Sequence, residues 1–176
     1  NIGIVLLNTI ILALISTLTI LFFAFFSANI NHFCRNKILV SLYNLSACGY
    51  AFPGTMLAVG VVVFIGFVDS FSGGIIFLSG SFIGIVFAYT VRFYAIPFSA
   101  TVSGFSRIPR NLHDASTTLG YSQIKTATKV TLPLIRSSIL AAAILTFVDI
   151  VKELPITLIL RPFNFETLST YTYQFA

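Results

Sequence analysis

Apolar residues in this chain come in long runs separated by shorter polar stretches, and that alternation sets the first expectation. Crossing a hydrocarbon layer about 30 Å thick takes about 20 mostly apolar residues at about 1.5 Å each. Residues 2–28, 47–68, 74–98 and 138–160 meet that length, so each is expected to form a membrane-spanning helix. The fold class that follows is all-α, a polytopic transmembrane helical bundle.

The polar stretches orient the bundle. Residues 29–46 carry Arg35 and Lys37, residues 69–73 carry no basic residue, and residues 99–137 carry Arg107, Arg110, Lys125, Lys129 and Arg136. Because cytoplasmic loops collect Lys and Arg, the first and third connections belong inside and the second outside. Strict alternation agrees, and it puts Asn1 and the tail from Arg161 onward on the outer face.

Composition agrees with a bilayer setting: 57% of the residues are hydrophobic, 9% are charged and 19 are Phe, well outside soluble-domain usage. The net charge of +5 is spread over loops and forms no stripe with aromatics between its members, so a nucleic-acid partner is not expected. Residues 2–26 lack a basic leader and a small-residue cleavage site, and read as a spanning helix rather than a signal peptide. Opening at Asn1 without Met and stopping at Ala176 in a polar, aromatic stretch, the sequence reads as part of a longer chain. Cys34 and Cys48 are read as structural thiols. His32 and His113 stand alone in loops, without a nucleophile, a base or metal-ligand spacing, so no enzymatic centre is expected.

Small residues predict close helix packing: Gly54, Ala58, Gly60 and Gly66 in the second run, Gly80 and Gly84 in the third. Arg92, near the cytoplasmic end of the third run, is expected to reach the headgroups. In the fourth run Asp149, Lys152 and Glu153 have i,i+3 and i,i+4 spacing and so share one helix face near mid-membrane. Charge there costs on the order of 2.5–3.5 kcal/mol per residue on insertion scales, so this face should turn to a partner helix or a watery cavity. Pro155 cannot donate to the carbonyl of Val151, which predicts a kink beside the cluster. Two readings stay open: these side chains line a pathway, or Asp149 and Lys152 neutralise each other and fix packing.

The stretch 99–137 is too long for a turn and too patterned for a linker. Asn111 can cap a short helix with Asp114 in its first turn, and Gly120 fits the left-handed position that ends it. Ser122 can cap a second helix to about Thr131, with Pro133 marking a kink before the fourth run. The result is a stubby helix pair projecting into the cytoplasm.

Asp114-Ala115-Ser116, three residues, Gly120, nine residues and then Val130-Thr131-Leu132-Pro133 resemble the EAA motif of binding-protein-dependent ABC importer permeases. Every spacing of Glu-Ala-Ala, three residues, Gly, nine residues, Ile-x-Leu-Pro is kept, while Asp114, Ser116 and Val130 replace Glu, Ala and Ile. Gly49-Tyr50-Ala51-Phe52-Pro53-Gly54-Thr55, Phe147 through Pro155 and Leu160-Arg161-Pro162-Phe163 are similar to the C-terminal half of ferric-iron importer permeases.

The resemblance implies that residues 111–121 form a coupling helix seated in a groove of a separate ATPase subunit. Asp114, Ala115, Ser116, Leu119, Gly120, Leu132 and Pro133 would be the coupling residues, with small Ala115 and Ser116 seating deeply. It implies a multi-pass protein of the bacterial cytoplasmic (inner) membrane, partnered by that ATPase, an external solute-binding protein, and a second permease half or copy. The binding protein would dock on the outer loops, among them the tail from Arg161 to Ala176. Ferric iron is the implied cargo, with Asp149, Lys152, Glu153 and Pro155 as pathway candidates. No cofactor is expected on this chain; ATP and Mg2+ would sit on the ATPase, since no Gly-x4-Gly-Lys-Ser/Thr loop is present. No resident metal site is expected either, because Lys152 repels a cation and a pathway must release its cargo. The alternatives are an importer of the same class moving thiamine or a phosphonate, and a secondary transporter driven by ions through the Asp149/Glu153 face.

Overall fold

A computed structural model describes residues 2–33, 41, 45, 47–72 and 78–175, and every regular element among them is helical. Helix α1 (Ile2–Phe33) is followed by a 3₁₀ turn (Ala47–Ala51) and α2 (Gly54–Phe71). Next come α3 (Phe82–Phe93), α4 (Ala95–Ser106), α5 (Arg110–Thr118) and α6 (Gln123–Leu134). The chain closes with α7 (Arg136–Lys152), α8 (Pro155–Leu160) and α9 (Leu168–Gln174). Most of the expected connection 29–46, together with 73–77, lies outside the described residues, including Cys34, Arg35 and Lys37.

Two helical stretches, Ile2–Ile30 and Gly54–Phe71, are alone long and apolar enough to cross a membrane; counting each bent pair as one span raises this to four. The burial pattern is that of a lipid-soluble molecule. Ser16, Thr101, Thr146 and Thr157 are buried, while Ile4, Leu18, Phe22, Met56, Val63, Phe67 and Ile144 are exposed. An apolar exterior around a core that includes hydroxyls suits hydrocarbon, because lipid tails do not drive apolar side chains inward.

The bends have identifiable causes. Helices α3 and α4 meet at Tyr94 at 51°, where the expected run 74–98 is continuous. Pro97, three residues on, cannot donate to the Phe93 carbonyl and its ring crowds that oxygen. Helices α6 and α7 meet at 78° across Ile135, whose φ of −101° and ψ of 10° leave the helical region. The elbow thus falls two residues beyond Pro133, and the backbone reaches that proline through a π turn at Ala127–Thr131. Widening the helix there accommodates the donor that Pro133 lacks. Ile135 is buried and seats on Gly104 of α4, where a Cβ would lie 3.1 Å from Ile135 Cβ and Cγ2.

The expected fourth run, 138–160, is not one helix. It breaks at Glu153 and Leu154, where Glu153 adopts φ −70° and ψ 117° just before Pro155. Leu154, directly ahead of the proline, stays in the α region at φ −102° and ψ −54°, so the departure is at Glu153, and the chain restarts with Pro155 at the first position of α8, where the missing N–H costs nothing.

Two apolar cores lie along α1. Leu12, Ala13 and Ile20 pack with Ala58, Ile65, Ile85, Tyr89, Ile150 and Ile156, while Ala24, Phe25 and Ala28 pack with Tyr94, Phe98, Phe105 and Ile135. Of the small residues expected at helix contacts, Gly54, Ala58 and Gly84 are buried. Gly60 and Gly66 face open space, and Gly80 lies in the turn before α3 at φ +68°. That turn is held by Asp69, whose carboxylate accepts from the Leu78 and Ser79 amides at 2.9 Å each.

Candidate functional site

Two places gather the chemistry-bearing residues. The first is a polar knot where the break between α7 and α8 meets α3 and the link entering α2. Glu153 Oε2 lies 3.5 Å from Arg92 Nε, the side chains being 10% and 17% exposed respectively. Arg92 Nη1 donates to the Phe52 carbonyl at 2.7 Å, and its guanidinium lies 5.6 Å from the Phe93 ring centroid. The helical break frees the Glu153 carbonyl, which accepts from Thr157 Oγ1 at 2.7 Å and from Ser169 Oγ of α9 at 3.0 Å. Tyr89 and Thr157 hydroxyls complete the chain of bonds across α3 and α8.

Two glycines let the backbones close on this knot. A Cβ at Gly49 would lie 2.2 Å from the Val91 carbonyl oxygen, so only glycine lets the 3₁₀ turn lie against α3. A Cβ at Gly54 would lie 2.7 Å from Glu153 Oε1 and 3.4 Å from both Arg92 Cζ and Pro155 Cβ. The stretches 49–55 and 147–155 are therefore held together in space, with Arg92 between them.

This arrangement corrects two expectations. Arg92 does not reach outward; it turns inward to Glu153 and Phe52, because a guanidinium in an apolar bundle is better matched by a carboxylate and a carbonyl. Nor do the three charges of the fourth run share a helix face. Lys152 pairs with Asp149 at 3.2 Å, its side chain 67% exposed, whereas Glu153 leaves the helix at the Pro155 break and turns to Arg92. Among the described residues no group of three or more His, Cys, Asp or Glu comes together.

The second place is the α5–α6 hairpin. Helix α5 starts at Arg110, directly after Pro109 and one residue before Asn111, so Asn111 is not its cap. Gly120 ends it at φ +82°, with the Tyr121 amide donating back to the Ser116 carbonyl at 3.0 Å, a Schellman closure. Ser122 caps α6 by accepting from the Lys125 amide at 3.4 Å. Ser116 is buried, its hydroxyl 2.9 Å from that of Thr126. It cannot seat in a partner as expected of a small surface residue; it ties the two helices together. Ala115, Leu119, Gly120, Leu132 and Pro133 are exposed, Leu119 at 79%, and Asp114 is placed by its backbone on α5.

The C-terminal tail is fastened to α1: the Leu168 amide donates to Thr9 Oγ1 at 2.8 Å and Asn8 Nδ2 to the Glu166 carbonyl at 3.2 Å. Arg161 and Glu166 face each other at 3.5 Å across the turn that contains Asn164 at φ 60°.

Apolar helices broken at a buried ion pair define the class, an all-α helical membrane protein. No family model matches the chain. Over 108 residues, 61% of its length, it is 28% identical to a Haemophilus influenzae protein named as a ferric transport system permease protein, FbpB 1. The match covers 16% of that relative, so the chain spans a small part of the protein it resembles.

Proposed function

We propose that this chain is part of the membrane-spanning permease of an ABC importer, an integral membrane transport component without enzymatic activity of its own. Its cargo is ferric iron, delivered by an external binding protein, and a separate ATPase powers transport by docking on residues 111–121. The observation that carries the reading is the hairpin closed at Gly120, with the EAA-type spacing laid over it and Leu119 exposed at its tip. The permease similarity supports the class and the cargo.

In this reading 29–46 faces the cytoplasm, as does the part of 99–137 beyond α4, which is the coupling loop and is shorter than expected because α4 carries the bundle on to Ser106, and the tail from Arg161 faces out. Motion of the ATPase would pass through α6 and its elbow into α7. The Asp149–Lys152 pair, half-buried at Asp149 and exposed at Lys152, would be covered by a second permease half or copy, since an ion pair facing lipid is expensive. The ion-driven alternative has less support, because Asp149 and Glu153 each already face a basic side chain.

The test is uptake of radioactive ferric iron into proteoliposomes holding the complete permease, the ATPase encoded beside it and the binding protein. ATP-dependent uptake that persists when ion gradients are collapsed supports the proposal. Uptake that follows a proton or sodium gradient without ATP refutes it, and competition by thiamine or a phosphonate reassigns the cargo.

A further inference from the structure

The polar knot is unevenly made. Glu153 Oε1 and Arg92 Nε are buried, yet neither has a hydrogen-bond partner among the described residues. Arg92 is held independently by the Phe52 carbonyl and lies over the Phe93 ring, so it keeps its place if the carboxylate leaves. On the other side, Glu153 sits on a two-residue break between α7 and α8, the segment that follows the elbow at Ile135.

Besides the Arg92–Glu153 and Tyr89–Thr157 contacts, what holds α8 against α2 and α3 is apolar: Ile156 and Leu160 share one core cluster with Ala58, Ile85 and Tyr89. In lipid such contacts discriminate weakly between packed and parted helices, because hydrocarbon is as good a neighbour as leucine. Polar contacts then decide which arrangement is populated, and here they are Arg92–Glu153 and Tyr89–Thr157.

We infer that Arg92 is a positioning residue for transport, acting as the fixed half of a releasable latch. Its contact with Glu153 holds the α7–α8 break closed on α2 and α3, and its release lets α8 swing away. This deepens the transport reading and rests on it for the source of the motion, but the latch itself is a property of this chain.

The experiment is a distance measurement between spin labels on exposed residues outside the knot, Val59 of α2 and Ile159 of α8. Cysteines are placed there with Cys34→Ser and Cys48→Ser, in the complete permease with its ATPase in nanodiscs. A single short distance is expected at rest, with a second, longer population in Arg92→Gln, raised about tenfold or more by loss of the charge pair. The exchanged pair Arg92→Glu with Glu153→Arg restores the short distance, which a merely misfolded variant would not. ATP adds the longer population to the native pair. If Arg92→Gln opens α8 while ATP has no effect, the latch stands and the ATP-driven reading falls. If the distance is the same in all variants and conditions, the pair is a static staple and the latch is refuted.

Discussion

Gly54 gives the sharpest test of the knot, because its effect has to act through Glu153. An Ala Cβ there would lie 2.7 Å from Glu153 Oε1, against an ordinary contact of 3.4 Å or more, so the carboxylate must retreat by about 0.7 Å. The obstacle is the end of a flexible side chain, so steric strain is small and the loss is electrostatic: the Arg92 contact, 3.5 Å to begin with, lengthens further. Splitting a fully buried ion pair costs about 3–5 kcal/mol. Arg92 keeps its bond to Phe52 and is 17% exposed, so about 1–2 kcal/mol is expected here. For a chain of this size each kcal/mol lowers the melting temperature by about 2–4 °C. Thermal unfolding in detergent should therefore place Gly54→Ala about 2–8 °C below the native protein. Gly60→Ala, on the same helix but in open space, should melt at the native temperature or slightly higher, since alanine suits a helix better. In an Arg92→Gln/Glu153→Gln background Gly54→Ala should cost almost nothing, as contacting residues are not additive. Equal effects of Gly54→Ala and Gly60→Ala, or full additivity with the ion-pair changes, would refute this reasoning.

Other outcomes follow from the same geometry. Gly49→Ala should be more damaging than Gly54→Ala by the same melting assay, because its Cβ would meet a backbone oxygen at 2.2 Å and two elements must part, at about 1–3 kcal/mol. Gly120→Ala places a Cβ in the left-handed region and should cost the hairpin about 1–2 kcal/mol, read as faster amide exchange from Arg110 to Thr126 and weaker binding of the ATPase. Ser116→Ala leaves the buried Thr126 hydroxyl without that partner and should speed the same exchange by about fivefold, corresponding to about 1 kcal/mol, without altering the exposed surface of the hairpin. Asp69→Ala removes the acceptor for two amides and should increase proteolysis between Leu78 and Phe82.

Local signals were the legible part of this molecule. The left-handed glycine at 120 and the serine cap at 122 are each written within a few residues, and the folded chain carries both; of the long apolar runs, the first two hold a continuous helix long enough to span, while the third is bent and the fourth is broken. Pro155 signalled the kink, but not that Glu153 would leave the helix with it and part from Asp149 and Lys152. Arg92 and Glu153 are far apart in sequence, and nothing local to Arg92 announces its partner. A basic residue near the end of an apolar run usually reaches for headgroups, so the inward turn depends on tertiary context. The available signal was complementarity: an unmatched cation in one run and an acid beside a proline in another. Likewise Ser116 is small and looks superficial by pattern, yet the tight turn at Gly120 folds α6 onto it. Gly60 and Gly66 look like packing positions because glycine often is one in membranes, whereas this chain leaves them open.

The central claim, that the hairpin couples this chain to an ATPase, is tested most directly by cysteine crosslinking from Leu112 to Tyr121 in the complete permease, against the ATPase encoded beside it, with and without ATP. The account predicts nucleotide-sensitive crosslinks at the exposed Leu112, Ala115, Leu119 and Tyr121, with buried Ser116 silent. No crosslink from any of these positions to an ATPase would contradict it and return the ion-driven transporter to first place.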